Sequence, residues 1–166
     1  MRPAVLSILC AAVFSLTAGA TASRADVPLA VQKQLKGQIF VSPEPLPQSS
    51  DSDAALVKAL KKANRPELKH STADGVPVWR FHVLAFMSKK PGVSQIALDF
   101  YTDDKTHAFV AQERLAGIDK NLTLLVAQVD LSEDDGLAAN KSYIVKLTAD
   151  VNGREVVLAT TKLRTR

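Results

Sequence analysis

The side chains that could do chemistry are few and far apart. His70, His82 and His107 are the three imidazoles. To hold a metal they would have to converge with a carboxylate. They show no short ligand spacing such as H-x-x-x-H, and they fall in a loop, in mid-strand and at a strand start. No metal site is expected from them. Glu133-Asp134-Asp135-Gly136 is the densest acidic stretch, and Asp103-Asp104 is the next. Calcium favours several oxygens on one flexible loop, but the EF-hand spacing is absent and the two stretches need not lie at the same end of the fold. Acids beside Gly136 read as a solvated turn. No G-x-S-x-G frames a serine, and no Ser-x-x-Lys opens a helix. Paired carboxylates for glycoside cleavage work across a larger cleft than a fold of this size offers. Lys58, Lys61, Lys62 and Arg65 make a basic helix face without the interleaved aromatics of a nucleic-acid groove, so a solvated face is expected. These residues point to no catalytic group, no cofactor, no metal and no nucleic acid.

The elements that would position any site are easier to read. Leu29, Val31 and Leu35 fit a short amphipathic turn stopping at Gly37, and Gln38–Ser42 reads as a first strand. Pro43, Pro45 and Pro47 then force an extended connector. Asp51-Ser52-Asp53 is a helix start. Leu56, Val57, Leu60 and Ala63 recur at helical spacing through Asn64, and Arg65-Pro66 ends the run. Beyond it the period becomes two. Trp79, Phe81, Val83 and Ala85 share one face of a strong strand. Ile96, Leu98 and Phe100 alternate with Ala97, Asp99 and Tyr101 in the next. His107–Leu115 is a weaker strand through Phe109 and Ala111. Leu122–Val129 is apolar at nearly every position, as in a central strand. Tyr143, Val145, Leu147, Ala149 and Val151 alternate cleanly. Asn152-Gly153 marks a type I′ hairpin turn before a last strand with Val157, Ala159 and Leu163 on one face. Short strands at this rhythm predict a sandwich or barrel, with the helix packed on or across one end.

One segment carries a family resemblance. Leu137, Tyr143, Val145 and Leu147 resemble the tyrosine-corner segment of fibronectin type III domains, in which a leucine precedes the tyrosine by six positions. The resemblance implies that the Tyr143 hydroxyl bonds back to upstream backbone, and it suits Trp79 to the family's buried tryptophan. Asn140 and Lys141 depart from the family's usual turn, and the Asp53–Asn64 helix has no place in a minimal domain. The expected fold is mainly β, a single immunoglobulin-like or fibronectin type III-like antiparallel β-sandwich of about seven strands. It carries one short helix in its N-terminal half. Tyr143, Leu137, Trp79, Asn152 and Gly153 are its expected structural markers.

The remaining features concern destination. Met1-Arg2-Pro3, the apolar run Ala4–Leu16 and the small-residue segment Ala18–Ala22 are laid out as a secretory signal peptide. The apolar run is too short to span a bilayer. Cys10 lies inside that run, so it reads as filler rather than a lipid anchor. The expected organisation is a signal over 1–25, an extension with the first strand and proline linker over 26–52, and the helix with the remaining strands over 53–166. Without the signal the chain has no cysteine and must rely on its core. Loss of Arg2 and Arg24 lowers the formal net charge from +4 to +2, too little to argue for nucleic acid or anionic lipid. An exported protein without disulfides points to a bacterial envelope, periplasmic or extracellular, with no integral membrane segment after cleavage. The expected role is a non-catalytic, protein-binding or structural module. It would meet its partner through the loops Lys89–Val93 and Ser132–Leu137 or through Gln38–Ser42. A small enzyme or enzyme inhibitor and a chaperone-like assembly accessory are the alternatives.

Overall fold

The computed structural model describes residues 27–166, so the expected signal peptide and Cys10 lie outside the described residues. The fold is mainly β, a curled open sheet with two helices on one of its faces. Helix α1 (Leu29–Gln34) precedes strand β1 (Gln38–Ser42), and helix α2 (Asp53–Ala63) follows the proline connector. Then come β2 (Glu67–Leu68), β3 (Ser71–Ala73), β4 (Val76–Phe86), β5 (Gln95–Thr102) and β6 (Phe109–Ala116). β7 (Leu124–Ser132), a 3-10 turn at Glu133–Asp135, β8 (Ser142–Val151) and β9 (Arg154–Thr165) complete the chain. The main path runs β3-β4-β1-β9-β8-β5-β6, with β7 along the other edge of β4 and β2 against β9.

Apolar side chains pointing into the curl form one core. Trp79, Phe81 and Val83 of β4 and Val129 of β7 share it with Leu98 and Phe100 of β5 and Val145 and Leu147 of β8. A second cluster lies behind β4, where Leu84 and Phe86 meet Phe40 of β1, Val31 and Leu35 near α1, and Leu56, Val57 and Leu60 of α2. The β4 residues from Val83 to Phe86 are thus buried on both faces. Each large side chain so covered contributes about 1.5–3 kcal/mol. Ser52 starts α2 by accepting the Ala55 N–H at 3.2 Å, and Asp53 suits the positive end of the helix dipole. Helix α1 is tied down by Gln32, which donates to the Val27 carbonyl and accepts from Thr123 Oγ1.

The junction between β1 and β9 joins the two halves of the curled sheet. It holds a single parallel register pair, Gln38 with Thr160. Further along β1 the end of α2 takes over. Asn64 Oδ1 accepts the Val41 N–H at 2.9 Å, and the Arg65 N–H donates to the Val41 carbonyl at 2.6 Å. The next residues run as β2 parallel to β9, Glu67 against Arg164 and Leu68 against Thr165. Backbone groups that would otherwise form an open edge are satisfied in this way.

Several expectations change. Seven strands lie on the main path and β2 and β7 pair beside it, and β1 and β2 pair with β9 in parallel rather than antiparallel fashion. The helices cover a sheet face instead of crossing one end, because Leu84 and Phe86 give β4 a second apolar face. β7 pairs with β4 alone and is not a central strand; one of its faces is buried, and Leu124 and Val126 on the other are partly covered by the helical cluster. Val157 is 41% exposed while Leu158 is buried, because a bulge between Leu147 and Thr148 shifts the β8–β9 register. Phe109 is 57% exposed for the same kind of reason, a register shift opposite Phe100 and Tyr101.

Candidate functional site

Leu137 and Tyr143 sit where the chain turns into β8. Both are buried. The Tyr143 hydroxyl accepts the Ala138 N–H at 2.8 Å and donates weakly to the Ala138 carbonyl at 3.4 Å. That carbonyl also accepts from Thr165 Oγ1, which ties the corner to the end of β9. Trp79 is fully buried, and its indole N–H has no hydrogen-bond partner among the described residues. The His70 ring packs against it with centroids 5.8 Å apart. Asn152 (φ 55°) and Gly153 (φ 74°) both occupy the left-handed region between β8 and β9, as a type I′ turn requires.

The histidines occupy separate elements. His70 lies between β2 and β3, with Nδ1 2.8 Å from the Arg166 carbonyl. His82 is mid-β4, paired across the sheet with Ser42 and Gln128. His107 stands in the β5–β6 turn at φ 45°, not at a strand start. Among the described residues no three His, Cys, Asp or Glu side chains form a metal-holding group. The two acidic stretches do share an end of the fold. Asp103, Asp104 and Val110 line a cavity of about 410 Å³ together with Gly136, Lys141 and Tyr143. Its acids are already engaged. Asp103 pairs with Lys162 at 2.9 Å. Asp104 Oδ1 accepts from Thr106 Oγ1 and N–H, from Thr102 Oγ1 and from the His107 N–H. Those bonds, the Thr106 hydroxyl's foremost, lower its carboxyl to about 2. Asp135 accepts from both the N–H and the hydroxyl of Ser132.

The surfaces expected to meet a partner are not one surface. Lys89–Val93 follows β4 at one end of the fold, where Gly92 N–H bonds the Lys120 carbonyl. Ser132–Leu137 lies at the other end, after β7, and its Leu137 is core. Gln38–Ser42 is buried from Ile39 onward and is held by β4, β9 and the end of α2. It offers no free strand edge. Among the described residues the three-residue β3 ends the sheet path, and the longer unpaired edges belong to β6 and β7. Each is guarded by charge. Glu113 points to the core side of β6 between Ala111 and Leu115, and partial burial raises its carboxyl, with Asp135 and Asp130 adding to the effect. On β7, Asp130 forms an ion pair with Arg80 of β4 at 2.9 Å.

What remains open is the outer face of β6-β5-β8-β9. Register pairing lays its side chains out in rows. Phe109, Tyr101, Ile144 and Lys162 form one row; Gln112, Asp99, Lys146 and Thr160 form the next. Arg114, Ala97, Thr148 and Val157 form a third, and Asp150 faces Glu155 beyond it. The Lys146 ammonium stands 4.2 Å from the centre of the Tyr101 ring, whose other neighbour is Phe109, edge-on at 5.8 Å. In the third row the small Ala97 and Thr148 leave a hollow. Its walls are the longer Gln95, Arg114, Asp150 and Glu155, and the cleft measures about 520 Å³. Asp99 lies at its floor and is 2% exposed. Gln112 Nε2 donates to one Asp99 oxygen at 2.7 Å and Thr148 Oγ1 to the other at 2.6 Å. Each oxygen thus holds one donor and can accept another. The nearby Tyr101 hydroxyl is pushed up by burial and by the charges of Glu155 and Asp99.

This constellation gives no local warning in the sequence. Asp99 shows there as an outward residue of an alternating strand, and its partners come from β6 and β8. No family model matches the chain, and no curated protein matches it either. Among solved structures the chain is similar to part of a β-glucosidase from Kluyveromyces marxianus. The identity is 12% and the TM-score 0.30, over 60% of this chain and 14% of that one. A likeness at that level carries no argument about fold or activity.

Proposed function

We propose that this protein is an exported, non-catalytic binding module of a bacterial envelope, an immunoglobulin-like or fibronectin type III-like sandwich that meets a protein partner through the outer face of β6-β5-β8-β9. The observation that carries this reading is the difference between the two outer faces. Behind β1-β4-β7 the apolar residues are roofed by α1 and α2. Among the described residues nothing roofs the face of β6-β5-β8-β9, yet it displays Phe109, Tyr101, Ile144 and Val157 among polar residues. Aromatic and aliphatic groups inside a polar rim are the composition of a recognition surface. The hydroxyl-to-backbone bond of Tyr143 supports the sandwich reading, since it is the bond a tyrosine corner makes.

Site-specific photocrosslinking in the producing cell tests the proposal. A benzophenone side chain at Thr160 or Lys146, on the open face, should give one discrete adduct. The same group at Lys61, on the exposed side of α2, should give none. Adducts from Lys61 alone would overturn the assignment of the face. Hydrolysis of a generic ester, glycoside or peptide that disappears in an Asp99→Asn variant would overturn the non-catalytic reading.

A further inference from the structure

We propose that the Asp99 cleft is the anchor pocket of this face and receives one basic side chain, lysine or arginine, from the protein partner. The inference rests on the binding-module reading above and names what that module recognises. Three observations point the same way. The first is shape: a hollow of about 520 Å³ floored by Ala97, Asp99 and Thr148 has room for a long side chain entering end-on.

The second is an excess of negative charge. Asp150 and Glu155 stand directly opposite each other across β8 and β9, an arrangement that destabilises a strand pair. Neither forms an ion pair among the described residues. Arg114, on the far wall, could have compensated them, but its guanidinium bonds Gln112 Oε1 at 2.9 Å. With Asp99 below, the cleft lining carries three carboxylates against one guanidinium, and the Lys146 ammonium opposite Asp99 is turned over the Tyr101 ring. The third is the residual valence of Asp99, whose two oxygens are fixed by Gln112 and Thr148 with capacity left for a further donor. A cation is favoured where it can donate to a carboxylate already held in place by neutral groups.

The test uses capped amino acids as stand-ins for single side chains. Heteronuclear NMR of the labelled protein is followed while N-acetyl-arginine amide, N-acetyl-lysine amide or N-acetyl-glutamine amide is added to millimolar concentration. The proposal expects the two basic probes to shift the backbone amides of Ala97, Asp99, Gln112 and Thr148, and the glutamine probe to leave them still. Asp150→Asn with Glu155→Gln, both on the exposed rim, should weaken binding of the basic probes about fivefold to tenfold, the scale of two exposed ion pairs. Equal shifts from the glutamine probe, no shifts at all, or full binding to the double variant would each overturn the proposal. So would much tighter binding of free 1,4-diaminobutane, which would assign the cleft to a small amine. Crosslinking at Thr160 can succeed whatever the outcome, so failure of the basic anchor is distinguishable from failure of the binding face.

Discussion

Tyr143→Phe removes one oxygen from a buried corner, and the structure says which of its two contacts matters. The Ala138 carbonyl keeps its bond from Thr165 Oγ1 when the hydroxyl goes, so the weak 3.4 Å contact is replaceable. The Ala138 N–H has no such second partner; its 2.8 Å bond to the hydroxyl is lost outright. An unpaired buried donor costs about 1–3 kcal/mol. Ala138 is half-buried, which places the loss near about 1–2 kcal/mol by the same scale. With a urea slope of about 2 kcal/mol per molar, the unfolding midpoint should fall by roughly 0.5–1 M. The single, fully buried Trp79 provides the fluorescence signal. Amide exchange at Ala138 should speed up more than at core residues of β4. Leu137→Ala, which empties a fully buried site, should cost about 2–5 kcal/mol. A Tyr143→Phe protein with an unchanged midpoint and an unchanged Ala138 amide would show that the hydroxyl contributes nothing, and the tyrosine-corner argument for a sandwich would fall with it.

Two glycines with positive φ should respond differently to alanine. Gly153→Ala meets no atom within 4 Å and should cost only the left-handed strain, about 1–2 kcal/mol. Gly136→Ala would place its Cβ 2.6 Å from the Val110 carbonyl oxygen and should lose clearly more in the same urea titration. Asp104, lowered from 3.8 to about 2, contributes turn stability that is complete above pH 3.8 and disappears as pH falls through about 2. The Thr106 and His107 amide shifts should titrate in that window, and Asp104→Asn should abolish the transition. Glu113 has the opposite sign, because its raised carboxyl opposes folding while ionised and stops doing so below the ordinary 4.5. Glu113→Gln should therefore be more stable than the parent at pH 7 and equal to it below pH 4.5, whereas Glu113→Val should self-associate by light scattering through the unguarded β6 edge.

Alternation in the sequence located the cores of β4, β5 and β8, since a two-residue period needs no tertiary information. It failed at Val157 and Phe109, and both failures sit beside register shifts, where one extra residue reverses the phase. Leu84 and Phe86 are apolar out of phase with Trp79 and Phe81, but a strand buried on both faces looks the same whichever layer covers it. Leu122–Val129 shows the same ambiguity from the other side, since an apolar run does not tell how many edges of a strand are paired. The cleft was out of reach for a different reason. Its floor joins Asp99 to Gln112 and to Thr148, 49 residues away, and no local pattern records a contact between strands.

Strand β9 holds β8, β1 and β2 together, although it is made after all of them. The Gln38–Thr160 pair closes a loop of about 120 residues, and such long closures put the entropy cost of folding ahead of its reward. While the chain is being synthesised, β1 lacks its β9 contact and β2 has no strand to lie against. A nascent chain of this topology cannot complete its sheet until its last strand is available. The same dependence makes a premature stop before Arg154 costly to the cell, because the apolar edge and face left exposed are those that aggregate.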